Sequence, residues 1–508
     1  MPTVDELDMR ARVDGMLSRR PAVGLAVGVV RNGRLEYFHG HGVADIASGA
    51  PITKDTVFRI ASITKTFTAI AVMQLWEQGL LDLDAPANNY LHAYQLVPAN
   101  ASWRAATVRH LLTHTAGIAE QVPRSGMFRP DFGESVKVGR RMPSLAEYYR
   151  GALRLDAEPG TRFRYGDHSP ATLGQIVEDV SGEPLQGYLR EHVFQPLGMA
   201  DTTLVRSEVE HPRLATGYKL RSRGADAVRD RDVVTVGAGA AYSTARDMAR
   251  YLAALMGGGA NEHGSVLKRA TVASMFAAQY QPDPRISGMG LAFWRHNAGG
   301  CPVVEHQGLL PGFDSQIVLA PDDGVGVMAF TNGTRGGAWW IPTEMSRMLH
   351  HLLGIPDEVI RTDVPQRPDV WGDLCGWYYL PGPLTDVRLR AFMGAGVEVF
   401  VRRGHLLIRI LSPIPAFYQG FPLHPDDETD PYAFRIDFSK FGLGVFPVVF
   451  SREPETGATS VHFDVMPLTA QKRPATTNPR LWVEGAVAVG TAAILGRRLL
   501  TTRPHRTT

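Results

Sequence analysis

The chain has 508 residues, of which 44% are hydrophobic and 20% are charged. This composition is typical of a folded globular protein, and it excludes a disordered, collagen-like or coiled-coil chain. The 53 Lys and Arg residues nearly balance the 51 Asp and Glu residues, so the charge predicts no nucleic-acid partner. The two cysteines, Cys301 and Cys375, are too few for a disulfide framework or a zinc site built from thiolates alone.

The first part of the chain predicts an antiparallel sheet into which a helical region is inserted. Residues 22–31 are apolar and β-branched, and the turn sequence Asn32-Gly33 predicts a hairpin with a second strand over 34–40. Helical patterns follow from about 62 to 256. Strand patterns then return in four segments, at 288–294, 303–306, 315–320 and 324–330. Because the sheet is completed about 250 residues after it begins, we expect an α/β (α+β) domain with flanking helices.

The later part of the chain predicts a second, smaller domain. Residues 345–353 predict a last helix over the sheet, and the polar, proline-bearing segment 356–369 predicts a linker. Short alternating segments over 370–470, separated by Asp, Gly and Pro, predict a small antiparallel β-barrel. We therefore expect a first domain over 1–355, the linker, the barrel, and a C-terminal tail over 471–508 with a short apolar helix.

Two terminal segments bear on the compartment. The first twenty residues are charged throughout and lack the apolar core of a secretory signal, so we expect a cytoplasmic protein. The apolar run 485–496 would rise about 18 Å as a helix, well short of a bilayer core of about 30 Å. A docked helix is the favoured interpretation of this run. The alternative is a weak association with a membrane surface through Trp482 and the flanking arginines.

The segment from Ser62 to Lys65 predicts an activated nucleophile. An S-x-x-K spacing at the start of a helix places the hydroxyl and the amine on one face, where a desolvated lysine can act as the base for the serine. Residues 63–76 are apolar and predict a central, buried helix. Ser265 and Lys268 have the same spacing, but they follow a polar, glycine-rich loop in which the lysine would be solvated. We therefore assign Ser62 as the nucleophile and the second match to chance.

His110 and His114 also form a recognisable spacing. Two histidines four residues apart can bind a metal from one face of a helix. No glutamate general base accompanies them, and histidine pairs on helices are more often structural. We favour the structural interpretation for both side chains.

Five segments together resemble a known family. They are 58–65, 111–117, 165–180, 196–202 and 242–248. In this order they are similar to the class C serine β-lactamases and their relatives, the penicillin-binding serine peptidases, D-aminopeptidases and β-lactamase-like esterases. The resemblance covers about residues 20–350 and implies the β-lactamase/DD-peptidase fold. A more limited resemblance, over 371–467, is to the lipocalin-like barrels that follow the catalytic domain in some of these peptidases.

The resemblance implies a reaction through an acyl-enzyme. Ser62 would attack the substrate carbonyl, while Lys65 and Tyr165 would share the transfer of its proton to the leaving group. The backbone N–H groups of Ser62 and Leu309 would form the oxyanion hole. No metal or organic cofactor is required for this chemistry.

The resemblance implies a third motif at His306-Gln307-Gly308, which stands at the position where the family has Lys-Thr-Gly or His-x-Gly. This segment should be an edge strand beside the nucleophile. The resemblance implies that His306 belongs to the catalytic group and that Gln307, Gly308 and Leu309, together with Asp167, contribute to substrate binding. Penicillin-recognising members generally carry a lysine at the first position, which binds the substrate carboxylate. Because histidine is mostly neutral at pH 7, His306 predicts weaker recognition of carboxylates.

Asp167 is a second departure from the family pattern. The motif reads Tyr165-Gly166-Asp167, where the family commonly has Tyr-x-Asn. A carboxylate accepts hydrogen bonds but cannot donate one to a substrate carbonyl. If Asp167 faces Lys65, it favours the ammonium form and weakens the lysine as a base. The alternative is that Asp167 turns away into solvent.

These observations predict a serine hydrolase of small esters or amides rather than a specialised β-lactamase. A D-amino-acid-specific aminopeptidase or a DD-carboxypeptidase, acting on a D-amino-acid peptide, is the alternative within the enzymes. A catalytically silent scaffold is the alternative from another class. The presence together of Ser62, Lys65, Tyr165 and His306 argues against the scaffold.

Overall fold

The computed structural model describes residues 4–118, 134–209, 211–333, 340–356, 359–380, 394, 396–412, 414–441, 444–453, 455 and 457–481. The chain divides into two compact units. The larger unit comprises Met1–Val359, Asp437–Pro447 and Phe463–Leu468, and the smaller comprises Ile360–Ile436, Val448–His462 and Thr469–Thr508. The first division falls inside the segment predicted as a linker, while the four-part division of the chain stays a prediction.

The helices of the described residues are, in chain order, α1 Glu6–Arg19, α2 Thr64–Glu77, α3 Val108–Leu112, α4 Leu145–Tyr149, α5 His168–Ser181, α6 Leu185–Leu189, α7 Val236–Gly239, α8 Ala245–Met256, α9 Arg269–Phe276, α10 Trp340–Leu353, α11 Trp371–Leu374 and α12 Pro415–Tyr418. Several begin at a side-chain cap. Asp5, Thr107 and Thr244 accept backbone N–H bonds in the first turns of α1, α3 and α8.

The strands are β1 Gly24–Arg31, β2 Arg34–Asp45, β3 Ala50–Pro51, β4 Val57–Arg59, β5 Gln95–Pro98, β6 Ser135–Lys137, β7 Ala152–Leu155, β8 Tyr218–Leu220, β9 Ala225–Ala227, β10 Arg231–Val233, β11 Tyr242–Thr244, β12 Trp294–Ala298, β13 Cys301–Leu310, β14 Phe313–Ala320, β15 Val325–Thr331, β16 Gly376–Tyr379, β17 Gly396–Arg402, β18 His405–Ile410, β19 Phe421–Pro422, β20 His424–Pro425, β21 Ala433–Asp437, β22 Val445–Arg452, β23 Thr459–Phe463 and β24 Leu468–Arg473.

A seven-stranded sheet forms the centre of the larger unit. Its order is β12-β13-β14-β15-β1-β2-β3, so the N-terminal hairpin pairs with strands that come almost 300 residues later. Asn32 and Gly33, both with positive φ, make the turn between β1 and β2. The long insertion between β3 and β12 contains α2 to α9. The prediction of an antiparallel sheet interrupted by a helical region is confirmed.

Side chains from the two faces of this sheet enter different hydrophobic cores. Leu25, Val27 and Val29 of β1 pack in a core with α1 and α10. Ala26 and Val30 of the same strand pack in the larger core that contains α2, α5 and α8. This alternation is what a strand buried on both faces requires. The sheet is therefore covered by helices on both sides, and the inserted helices lie on one of them.

Helix α2 lies deep in the larger core, as its apolar sequence predicted. Every residue from Thr64 to Leu75 is buried. The polar side chains among them have partners: Thr68 donates to the Gly237 carbonyl at 2.8 Å, and Gln74 donates to the His192 carbonyl at 2.8 Å. A helix fixed in this way provides a rigid support for the residues at its N-terminal end.

A nine-stranded antiparallel sheet occupies the C-terminal region. Its order is β19-β18-β17-β16-β24-β23-β22-β21-β20. The first and last strands in this order are separated by one residue, Leu423, so the sheet is nearly closed into a barrel. The prediction of a small antiparallel barrel-like domain in this region is therefore confirmed.

Two predicted elements differ from the structure. Residues 288–294 do not form a strand, because Gly288 and Ala292 have φ of +72° and +62°, which breaks the extended conformation before β12 begins at Trp294. Ser62 lies in a 3-10 turn, and the α-helix begins two residues later at Thr64. Residues 381–393, within the short alternating segments predicted over 370–470, and the apolar run 485–496 lie outside the described residues. Within those residues, no helix is long and apolar enough to cross a membrane.

Candidate active site

Ser62 is presented by a sharp turn between β4 and α2. The residue before it, Ala61, has a φ of +48°, a left-handed conformation that is uncommon for a residue other than glycine. The hydroxyl of Thr64 donates to the Ala61 carbonyl at 2.6 Å and accepts from the backbone N–H of Ala241 at 3.0 Å. These bonds hold the strained turn in place, which is common where a backbone outlier serves a function.

Lys65 directs its amine to Ser62 from inside the protein. Its side chain has an exposed fraction of 0%. The Nζ atom donates to three acceptors: Ser62 Oγ at 2.8 Å, Asp167 Oδ1 at 2.6 Å and the Ala238 carbonyl at 3.0 Å. An ammonium group has three N–H donors, so each of them has a partner.

The charge on Lys65 is set by two opposing effects. Burial lowers the pKa of Lys65, whereas the negative charge of Asp167 and the neighbouring Tyr165 raise it, and the net result is a raised pKa. Lys65 is therefore an ammonium ion at neutral pH. Asp167 faces Lys65, so the alternative in which it turns away into solvent is wrong. As an ammonium ion, Lys65 donates to Ser62 and has no lone pair with which to accept its proton.

Tyr165 lies over Lys65 within a group of aromatic rings. The Lys65 Nζ atom is 5.1 Å from the centre of the Tyr165 ring. Ring centres of His114, Trp294 and His306 lie 4.7, 5.4 and 6.3 Å from that of Tyr165. The structure thus brings together the tyrosine, the lysine and the histidine that the sequence assigned to the site.

His114 is a neighbour of Tyr165 that the motif analysis assigned only a structural role. Its side chain is buried, its φ is +56°, and its carbonyl accepts the backbone N–H of Arg164, the residue before Tyr165, at 2.8 Å. Burial and the positive charge of Lys65 hold the pKa of His114 well below its usual value, so the ring is neutral. The sequence could not show this contact, because the left-handed backbone at His114 leaves no pattern.

His110 and His114 do not form the helical pair that their spacing allows, so the alternative of a shared metal site on one helix face is wrong. Helix α3 ends at Leu112, so His110 and His114 do not share a helical face. His110 Nδ1 instead accepts the backbone N–H of Thr107 at 3.2 Å as part of a capping box. Among the described residues, the potential metal-binding group is elsewhere, at Glu183, Glu191 and His192. Exposed carboxylates of this kind are common without a metal, and they are not part of the site.

Strand β13 passes directly beside the nucleophile turn. A Cβ atom at Gly308 would be 2.0 Å from the Ile60 carbonyl oxygen and 2.3 Å from Ser315 Oγ, so this strand can approach only without a side chain there. Strand β12 pairs with β13 as far as Glu305, which leaves the segment from His306 onwards beyond that pairing. The predicted strand beside Ser62 is therefore present.

His306 is buried on this strand and is neutral. Its Nδ1 lies 2.7 Å from the Gln307 carbonyl and therefore carries the proton, so Nε2 has the free lone pair. Burial and the ammonium of Lys65 lower the pKa of His306 to about 3. His306 is therefore not a fixed cation, and weak recognition of substrate carboxylates stays a prediction.

Unlike His306 and Gly308, Gln307 and Leu309 have side chains that do not face the nucleophile turn. Gln307 Nε2 donates to Asp314 Oδ1 at 3.1 Å. Asp314 and Ser315 are neighbours on β14, so their side chains point to opposite faces of the sheet. Ser315 contacts the nucleophile turn, and Asp314 with its partner Gln307 therefore lies on the other face. The Leu309 side chain is 50% exposed. The structure does not bring the Gln307 side chain to Ser62, and the proposed role of Leu309 concerns its backbone N–H alone.

A buried lysine bonded to a serine on an S-x-x-K turn, beside a glycine-bearing strand, defines a serine hydrolase of the acyl-enzyme class. Comparison with known families agrees. The model of the Beta-lactamase family matches residues 9–339, and the chain belongs to that family.

Several relatives and solved structures resemble the chain. It is 34% identical over 274 residues to esterase EstB of Burkholderia gladioli, a match that covers 52% of this chain and 69% of that protein. It is 25% identical over 322 residues to the D-alanyl-D-alanine-carboxypeptidase/endopeptidase AmpH of Escherichia coli K12, with 62% and 80% covered. The octameric penicillin-binding protein homologue from Pyrococcus abyssi superimposes with a TM-score of 0.59 at 22% identity, covering 92% of this chain and 100% of that one. The last likeness shows that the fold is shared.

Proposed function

We propose that this protein hydrolyses small carboxylic esters or amides through an acyl-enzyme on Ser62. The observation that carries the proposal is the 2.8 Å hydrogen bond between Lys65 Nζ and Ser62 Oγ, made by a lysine with no exposed side-chain surface. Burying a charged amine against a serine costs free energy, and it stabilises the negative charge that develops on the attacking oxygen. The names of the relatives, which include an esterase and a carboxypeptidase, support the same reaction class.

The proposed first step forms a bond between Ser62 Oγ and the carbonyl carbon. Because Lys65 donates to Ser62, the serine proton passes to the Tyr165 oxygen while Tyr165 gives its own phenolic proton to the leaving oxygen or nitrogen, whose bond to the carbonyl carbon breaks. The carbonyl oxygen becomes negative and accepts from the backbone N–H groups of Ser62 and Leu309. In the second step, the oxygen of a water molecule bonds to the acyl carbon and the bond from that carbon to Ser62 Oγ breaks. The acid leaves, and one proton of the water passes by way of Tyr165 to Ser62 Oγ. His306 stays neutral throughout.

A fluorophosphonate probe with mass mapping of the labelled peptide tests this proposal. We expect the label on Ser62, and we expect Ser62→Ala to remove both the label and ester hydrolysis. Ser265→Ala is the matched control, because it removes a serine with the same spacing to a lysine, and it should keep both. Hydrolysis that persists in Ser62→Ala would overturn the proposal. A folded protein that takes no label and hydrolyses no ester would favour the scaffold alternative.

A further inference from the structure

The two charged partners at the site differ in how far they reach solvent. The Lys65 side chain is 0% exposed, whereas the side chain of Asp167, bonded to it at 2.6 Å, is 40% exposed. The positive charge is therefore hidden behind the negative one. Ser62 Oγ and Asp167 Oδ1 both lie within hydrogen-bond distance of Lys65 Nζ, so the charge beside the nucleophile that solvent reaches is the carboxylate.

The Asp167 carboxylate interacts with Lys65 rather than with the helix that begins beside it. Asp167 is the N-cap residue of α5, where an aspartate ordinarily accepts N–H bonds from the first turn of the helix. Here the side chain makes no capping bond and is directed to Lys65 instead. The Lys65 partner therefore takes precedence over the local capping interaction.

Among the described residues, the two histidines whose rings contact Tyr165 do not add a positive charge to the pair. His306 and His114 both lie close enough to feel the charge of Lys65, and each has a pKa lowered by burial, so both are neutral at pH 7. Among these groups, Lys65 and Asp167 contribute one charge of each sign, and Asp167 is the exposed one.

We infer that Asp167 is a specificity-determining residue, which selects esters with uncharged acyl groups and disfavours substrates that carry a carboxylate near the scissile carbonyl. The inference rests on the proposed function and names the substrate class for that site. Two unit charges a few ångströms apart near a protein surface repel by an energy that corresponds to about a tenfold or larger change in rate. A penicillin or a peptide with a free C-terminus would be disfavoured on this ground.

The test compares two esters of similar length and the same leaving group. These are ethyl butyrate, which is neutral, and monoethyl succinate, which carries a carboxylate, and the hydrolysis of both is followed by pH-stat titration. We expect wild-type protein to prefer the butyrate in kcat/KM, and we expect Asp167→Asn to reduce this preference about tenfold. The ratio within one variant cancels any general loss of activity caused by the substitution. Asp167→Glu, which keeps the charge, should keep most of the preference.

Asp8→Asn is the control for a change in net charge. Asp8 lies on α1, which packs on the face of the sheet opposite α2, and this variant should keep the wild-type ratio. An unchanged ratio in Asp167→Asn, with Ser62 still labelled by the fluorophosphonate, would overturn this inference and leave the proposed function standing. Absence of the label in the wild-type protein would overturn the proposed function, and this inference with it.

Discussion

Two segments of this chain share the S-x-x-K spacing, yet their side chains make entirely different contacts. In the first, a 3-10 turn runs into α2, and Lys65 Nζ meets Ser62 Oγ at 2.8 Å. In the second, Ser265 Oγ donates to the carbonyls of Gly259 and Leu267 at 3.4 and 3.2 Å. Lys268 is exposed, and its extended backbone lies just before α9.

The difference shows what the motif requires beyond its spacing. A hydroxyl and an amine three residues apart come together only when the intervening backbone is helical. The amine must also be desolvated before it can influence the serine. Both conditions depend on the twelve buried residues that follow Ser62 and Ile63, and not on the four letters of the motif.

The largest test of this comparison replaces the two lysines in turn. Lys65→Ala should lower kcat/KM for 4-nitrophenyl butyrate by about a thousandfold or more, because Ser62 loses the group that stabilises its developing charge. Lys268→Ala should stay within about twofold of wild type, since that lysine contacts solvent. Steady-state kinetics with both variants decide the matter. Equal losses in the two variants would mean that the buried lysine has no special role.

A second test concerns the ring that supports Tyr165. His114→Asn should lower kcat about tenfold with little change in KM, because Tyr165 loses its closest ring neighbour and its position is relaxed. Asparagine tolerates the left-handed backbone at this position, so the loop should keep its conformation. His110→Asn is the control, and it should affect the α3 cap and stability rather than kcat. An unchanged kcat in His114→Asn would contradict the role.

A third test addresses the buried carboxyl on the opposite face of the strands beside Ser62. Burial raises the pKa of Asp314 from 3.8 to about 8, so the folded protein holds a proton that the unfolded chain releases. The stability that this proton confers is complete below about pH 4 and is lost as the pH rises through about 8. Asp314→Asn should therefore raise Tm by roughly 2–4 °C at pH 9 and change it little at pH 4. A Tm difference that does not depend on pH would contradict this assignment.

The smallest effect is expected at the second serine. Ser265→Ala removes one hydroxyl donor, which lies within reach of two backbone carbonyls, and should lower the free energy of unfolding by about 1 kcal/mol. Activity and fluorophosphonate labelling should not change. Denaturant unfolding measured alongside ester hydrolysis separates the two quantities. A loss of activity without a loss of stability would mean that Ser265 acts in catalysis after all.

Much of the fold could be predicted from the sequence, because its signals are local. The structure confirms the turn at Asn32-Gly33 and the apolar helix α2. It also confirms the strand patterns that became β14, β17 and β18. The segment 288–294 was wrongly predicted as a strand, since an alanine with positive φ has the same letter as any other alanine. The order of strands in the sheet follows from general rules of packing rather than from one motif.

The site was predictable in its residue types and less so in its electrostatics. Ser62, Lys65, Tyr165 and His306 came from motifs, and the structure places them together. The orientation of Asp167 was left open by the sequence, because a carboxylate two residues after a motif tyrosine can cap a helix or face a lysine. Long-range packing decides between these outcomes, and a single sequence does not encode it in any local pattern.

The complete burial of Lys65 also has a practical consequence for chemical labelling. Reagents that acylate or alkylate amines react with lysines that solvent can reach, such as Lys268, and Lys65 should be spared because its side chain has no exposed surface. A survey of reactive lysines would therefore pass over the lysine that the proposed reaction requires. The reactivity of Ser62, its hydrogen-bonded partner, is the measurement that reports on this amine.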